Sequence, residues 1–363
     1  MSAPRLEIDL EAVTHNTRAL VSRLKPLGIA VTGITKASLG SPGVAAAMLR
    51  GGAGGLGDSR IENLARLSAG GIDSTATLIR SPMVSQASLV VRHADISLNT
   101  EAVVIDSLAA AAVSHGTTHG VVVMVELGDL REGVPVGDVL DLSRHITQTP
   151  GVQLAGLGTN LACQSGVVPD QVKMDELSRL VEKVETGCNL GLSIVSGGNS
   201  ANLDWALSTA DAGHVNDLRL GEAILLGTEP LRRRVVDGLR TDAFTLFAEV
   251  IEVKTKPALP WGDLAQGAFG TPPARRDGEL VRQAIVALGR QDTDPDGLTP
   301  PAGITVLGMS SDHLVLDVGD HAIAVGDEIA FGLGYGALLR AATSPFVAKL
   351  EKVHHEGLEQ HIR

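Results

Sequence analysis

The stretch Gly28-Ile29-Ala30-Val31-Thr32-Gly33-Ile34-Thr35-Lys36 decides the fold. Eight small, apolar or β-branched residues in a row have the length and composition of a strand buried on both faces. The run closes on an ammonium. Barrels and open parallel sheets place their chemistry at the C-terminal ends of strands, where Lys36 stands. A buried amine loses proton affinity to desolvation, which makes it a usable nucleophile and Schiff-base former. Lys25, Lys173, Lys183, Lys349 and Lys352 lie instead among polar residues in stretches of helical character.

Short apolar runs recur near residues 29–36, 53–57, 76–80, 94–98, 121–127, 152–158, 192–197 and 215–220. Between them, segments such as Ser41 to Arg50, Ile61 to Leu67 and Lys173 to Thr186 have the residue types of crossover helices. That is the strand count of a (β/α)8 TIM barrel, with an open doubly wound sheet as the alternative. The texture changes after Arg232-Arg233-Arg234, a run that reads either as an anion site or as a solvated turn. Strand-like segments follow at Phe244 to Lys254, Ile304 to Leu307, His313 to Val318 and Ala322 to Ala330, with a Pro/Gly/Asp-rich stretch from Asp292 to Pro301. The expected organisation is an α/β barrel over residues 1–235 and a mainly β C-terminal domain over 236–363.

The 363 residues are 44% hydrophobic but only 2% aromatic, so the apolar mass is aliphatic and suits layered α/β packing. A net charge of −12 repels nucleic acid and anionic membranes and favours a cationic or zwitterionic small molecule. Cys163 and Cys188 form no close pair, which argues against a disulfide framework or a cysteine zinc site and for a reducing, cytoplasmic home. The N-terminus MSAPRLEIDL carries charges where a signal peptide is apolar, and no apolar run approaches the roughly 18 residues of a membrane span. A soluble protein is expected.

The ends of the apolar runs are polar and varied: Lys36, Asp58 with Ser59, Glu126 with Arg131, Asn160, Ser196-Gly197-Gly198-Asn199-Ser200, and Arg219-Leu220-Gly221-Glu222. The SGGNS loop offers backbone N–H groups and small polar side chains to a phosphate, although such a loop also serves as a plain turn. A desolvated lysine on the first strand, a phosphate-type loop on the seventh and an arginine on the eighth point together to pyridoxal phosphate. Its aldehyde needs an amine, its phosphate needs donors and its ring nitrogen needs a partner. Alternatively, Lys36 pairs with Glu126 as a structural salt bridge and Arg219 caps a helix.

These residues resemble the fold-type III pyridoxal-phosphate racemases, the alanine racemase superfamily, and within it the ornithine racemase branch. The resemblance runs through LEIDLEAVTHNTRAL, VTGITKA, GDSRIENL, VELGDLREGV, GLGTNLAC, SGGNSANL, LRLGEAILLG, ALGRQDTDPDGLTP and SSDHLVLDVGD, in order along almost the whole chain. It implies that Lys36 is the Schiff-base lysine and Arg219 the partner of the pyridine nitrogen. It further implies that Asn199, Ser200 and the backbone at Gly221 and Glu222 hold the phosphate, and that Arg131 approaches the phenolic oxygen. Asn160 takes the place of a ring-facing histidine, and Tyr335, the single tyrosine, matches one whose hydroxyl reaches the phosphate. Ser311 falls where the second subunit offers a backbone N–H to the substrate carboxylate, and His313 lies beside it.

The resemblance implies a homodimer with shared sites that interconverts L- and D-amino acids by moving the Cα proton between two bases, with ornithine or another basic amino acid favoured over alanine. An arginine at the ring nitrogen keeps that nitrogen unprotonated and the ring a weaker electron sink. Lys36 serves one face. The tyrosine that serves the other face in alanine racemases is replaced in Pro260-Trp261-Gly262-Asp263, which makes Asp263 the positional candidate and Cys163 and His313 its rivals. Two more departures are Gly40, in place of a tyrosine, and Met124, in place of a modified lysine. Competing readings are a non-enzymic carrier of the cofactor, disfavoured by the C-terminal domain, and a metal-assisted lyase acting on D-amino acids, disfavoured by the lack of a cysteine after Cys188. His354, His355 and His361 read as a solvated tail rather than metal ligands.

Overall fold

The computed structural model describes residues 4–269 and 280–352; the histidine-bearing tail lies outside them. Two compact units emerge. One holds Ala12–Thr241; the other joins the residues up to Glu11 with those from Asp242 onward. Strand β1 (Arg5–Asp9) therefore opens the chain but belongs to the second unit.

The first unit is a closed parallel barrel of eight strands: β2 (Ala30–Ile34), β3 (Gly55–Asp58), β4 (Ala76–Leu78), β5 (Ile96–Asn99), β6 (His119–Val125), β7 (Val152–Thr159), β8 (Ile194–Ser196) and β9 (Asp217–Leu220). Each coincides with one of the apolar runs. β9 returns to β2 with Thr32 opposite Arg219, which closes the ring. Burial on both faces explains the near-continuous hydrophobic strands: every residue of His119-Gly-Val-Val-Val-Met-Val is buried. Leu98, Val122, Met124 and Ala155 pack together, with Ile79, Ile96 and Ile194 against them.

The crossover helices follow local rules. The helix Gln171–Cys188 starts at Asp170, whose side chain accepts from the N–H of Lys173, and stops at Asn189 in the left-handed region. Met174, Leu177, Val181 and Val184, spaced three and four apart, form its buried stripe. Each contributes about 1.5–3 kcal/mol relative to exposure, as an upper bound.

A residue of β6 links stability to pH. His119 is buried, with Nε2 2.7 Å from the Ser97 hydroxyl, and desolvation pushes its pKa down from 6.5 to about 4. The unfolded chain thus binds a proton below pH 6.5 that the folded chain refuses. Stability from neutral His119 is full above pH 6.5 and drains away as pH falls toward 4. Between pH 7 and about pH 4.5 urea unfolding should lose about 2.5 kcal/mol through this group. A His119→Asn variant that keeps the whole acid slope of the wild type would refute the assignment.

In the second unit an antiparallel sheet runs in the order β12 (Leu298–Thr299), β15 (Glu328–Leu333), β10 (Phe244–Pro257), β11 (Leu280–Val286), β14 (Leu314–Asp317), β13 (Thr305–Met309). β1 joins it by pairing antiparallel to β10 and parallel to β16 (Ala348–Lys352). The alternation Phe244, Leu246, Ala248, Val250 points one face of β10 inward. The helix Tyr335–Thr343 buries Ala337, Leu338, Ala341 and Ala342.

Candidate active site

Lys36 follows β2 and opens a single 3₁₀ turn, Lys36–Ser38, after which Leu39 and Gly40 both take positive φ. That tight exit aims the chain back toward the crossover helix. An added Cβ at Gly40 would lie 2.7 Å from the Cβ of Asn63, so this position has no room for a larger side chain. Burial lowers the affinity of Lys36 for its proton. Arg131 and Arg219 lower it further, while Cys163 and Asp58 act in the opposite direction. The carboxylate of Asp58 is fully buried, accepts from the Thr35 hydroxyl at 2.7 Å, the Arg60 N–H at 2.9 Å and the Asn63 amide at 3.0 Å, and is pushed upward by desolvation. It anchors the turn that presents Lys36.

Arg219 points into the barrel from β9 and is 5% exposed. Its Nη1 donates to the Ser196 hydroxyl at 2.5 Å, and its Nη2 to the Thr159 carbonyl at 2.8 Å and to Asn160 Oδ1 at 3.4 Å. Asn160 Oδ1 also accepts from Asn199 Nδ2 at 3.0 Å. With its oxygen held from two sides, the Asn160 amide presents Nδ2, which is buried and has no hydrogen-bond partner among the described residues. Asn199 is occupied internally: it donates to the Leu161 carbonyl at 2.9 Å and accepts from the Ala201 N–H at 2.8 Å, while Asn202 receives the Asn199 N–H. The N-x-x-N spacing of a capping box was the available signal for Asn202.

Ser200 is buried and accepts from the Ala223 N–H at 3.2 Å, which brings the SGGNS loop beside Gly221 and Glu222. The basic run is an exposed turn whose side chains are ion-paired. Arg233 pairs with Glu222, Arg232 and Arg234 with Asp204, and buried Glu229 collects the N–H groups of Leu231, Arg232 and Arg234.

Arg131 pairs with Glu132, which raises its already high proton affinity. Beside it, Cys163 interacts electrostatically with Arg131 and Lys36, and its Sγ accepts from Asn199 at 3.5 Å. Buried Asp129 ties the loops bearing Arg131 and Cys163, accepting from the N–H groups of Gln164 and Ser165 at 3.0 Å each. Lys36, Arg131, Asn160, Asn199, Ser200, Gly221 and Glu222 thus follow the barrel strands, with Arg219 on β9 itself. Glu126 caps its own loop, accepting from the N–H groups of Gly128 and Leu130. In the second unit, Asp263 lies in an exposed loop, Ser311 and His313 follow β13, and Tyr335 begins its helix half-buried.

The closed eight-stranded parallel barrel thus carries a desolvated lysine at one strand end and a buried arginine on the neighbouring strand. Residues 8–230 match the family described as alanine racemase, N-terminal domain. The chain is 38% identical to the lysine racemase of Thermotoga maritima over 353 residues, 96% of this chain and 99% of that one. It is also 38% identical to the ornithine racemase of Acetoanaerobium sticklandii over 80% of this chain and 83% of that one. Among solved structures, alanine racemase from Streptomyces lavendulae superposes with a TM-score of 0.75 at 22% identity, over 98% of this chain and 99% of that one, and shares the fold. This chain belongs to the alanine racemase family and is an amino-acid racemase, an isomerase.

Proposed function

We propose that this racemase acts on a free basic amino acid, ornithine or lysine, using pyridoxal phosphate anchored at Lys36, in a cytoplasmic homodimer. The unsatisfied Asn160 Nδ2 carries the reading: a buried donor held in place beside Arg219 and the Lys36 strand end supports an acceptor-bearing ligand at that point. Lys36 would hold the cofactor's aldehyde carbon, Arg219 its ring nitrogen, and Asn160 and Arg131 its polar ring edge. Ser200, the backbone of Gly221 and Glu222, and Tyr335 would hold its phosphate, while Asn199, whose donors are committed within the protein, shapes the loop around it. When bound, the cofactor supplies an electron sink that acidifies the substrate Cα–H.

The residues divide the remaining work. Desolvation keeps more of Lys36 as free amine near neutral pH, fit to take and return a proton on one face. A guanidinium keeps its proton, so Arg219 donates a hydrogen bond without transferring charge. Asp263 is the base for the other face, with Ser311 and His313 on the substrate side. The −12 net charge favours a cationic substrate, in keeping with the lysine and ornithine racemases among its relatives.

Chiral chromatography of L-lysine, L-ornithine and L-alanine after incubation with the holoenzyme tests the substrate class. A kcat/KM for a basic amino acid about tenfold or more above that for alanine is expected; a preference for alanine overturns it. Asp263→Asn is expected to lower turnover in both directions by about a hundredfold or more, whereas undiminished turnover passes the role to Cys163 or His313. If two subunits share each site, mixing inactive Lys36→Ala and Asp263→Asn proteins through reversible dissociation restores up to roughly a quarter of wild-type activity. No restoration in mixed dimers speaks for sites built within one chain.

A further inference from the structure

Asp217 and Arg219 are two apart on β9, so both side chains enter the barrel, one layer above the other. Asp217 Oδ2 accepts from the Ser196 hydroxyl at 2.5 Å and Oδ1 from the Thr32 hydroxyl at 2.6 Å. An ionised carboxylate only accepts, so the Ser196 proton is committed to Asp217 and its oxygen is left to receive Arg219 Nη1. Direction is thereby fixed along the whole chain, guanidinium to hydroxyl to carboxylate.

Packing alone does not immobilise Arg219. Barrel interiors are normally filled by layers of side chains. Here a cavity of about 400 Å³ touches Arg219 and is lined by Thr32, Thr77, Leu98, Val122, Ser196 and Asp217. The guanidinium has somewhere to go, and hydrogen bonds decide where it stays. The charges facing it are Asp217 from its own strand, Glu132 and Arg131 from the loop after β6, and Lys36 after β2, with Cys163 also within reach. Asp217 is the strongest of those that favour its charged form.

We propose that Asp217 is a positioning residue that acts through the Ser196 hydroxyl to hold the Arg219 guanidinium in the orientation that meets the cofactor ring. The proposal rests on the reading of Arg219 as the partner of the ring nitrogen. Remote from the substrate, Asp217 should govern kcat and cofactor retention rather than KM. Outer partners of this kind typically matter 10- to 100-fold.

The test uses Asp217→Ala, Asp217→Asn, Ser196→Ala and Ser196→Thr in the full chain. Three quantities are measured: the dissociation constant of pyridoxal phosphate by equilibrium dialysis, the visible absorption of the holoenzyme without substrate, and kcat and KM separately. For Asp217→Ala and Ser196→Ala the expected result is a tenfold or greater rise in the dissociation constant, a displaced absorption band and a fall in kcat at near-constant KM. Ser196→Thr, which keeps the hydroxyl, should restore all three. If Asp217→Ala does not fold, the comparison of Ser196→Ala with Ser196→Thr and Asp217→Asn decides. Variants with wild-type cofactor binding, spectrum and kcat but a lowered Tm would overturn the proposal and leave Asp217 a packing residue. A wild-type protein that binds no pyridoxal phosphate would instead sink the underlying reading of the site.

Discussion

Lys36→Ala is expected to lower racemisation at least about a thousandfold and to let pyridoxal phosphate dialyse away, because it removes the covalent anchor and one of two proton carriers together. Folding should not suffer. The ammonium it removes is desolvated and close to Arg131 and Arg219, which offsets the favourable interactions with Cys163 and Asp58 that are lost with it. Lys36→Arg should be no better than alanine, since a guanidinium neither gives up its proton nor forms the anchoring bond. A small primary amine added to Lys36→Ala should return a measurable part of the rate. Full turnover or a retained visible band in Lys36→Ala would show that a different amine does the work.

Gly156→Ala is expected to be the most damaging conservative change in the barrel. An ideal Cβ there falls 1.9 Å from the carbonyl oxygen of Ile194 and 2.7 Å from its carbonyl carbon, and Gly156 is paired with Ile194 across the β7–β8 ladder. The obstacle is backbone, so no rotamer change relieves it; the two strands must part. The loss should exceed about 4 kcal/mol by urea unfolding, the range reserved for a named structural fault. Because β8 leads through Ser196 into Asn199 and Ser200, any surviving protein should bind pyridoxal phosphate more weakly. Gly137→Ala, where an added Cβ meets nothing within 4 Å, is the control and should stay within about 0.5 kcal/mol of the wild type. Equal effects at the two positions would contradict the packing.

The barrel was legible because parallel strands covered on both faces keep their apolar runs unbroken, and all eight fall where those runs stand. The C-terminal sheet was less so. β11, Leu-Val-Arg-Gln-Ala-Ile-Val, mixes an arginine and a glutamine into a half-buried pattern with no clear alternation, while β13, β14 and β15 fall within or beside the segments expected. Lys36 and Arg219 stood out as charges inside apolar runs. What composition could not show was pairing at a distance. The partners of the basic run, Glu222 and Asp204, are apart from it in sequence, and nothing local in Asp58, Asp129 or Asp217 distinguishes a buried anchor from a surface carboxylate.

Strand β1 has a consequence for the order in which the molecule is made. Ile8 pairs with Phe244 and also lies against Glu351, so a strand synthesised ahead of the barrel waits for partners that are made after it. At about 5–20 residues per second its first partner emerges roughly 10–50 s later, with the whole barrel synthesised in between. The barrel can close by itself during that interval. The sheet cannot, and its long-range pairings place its assembly at the slow end of folding.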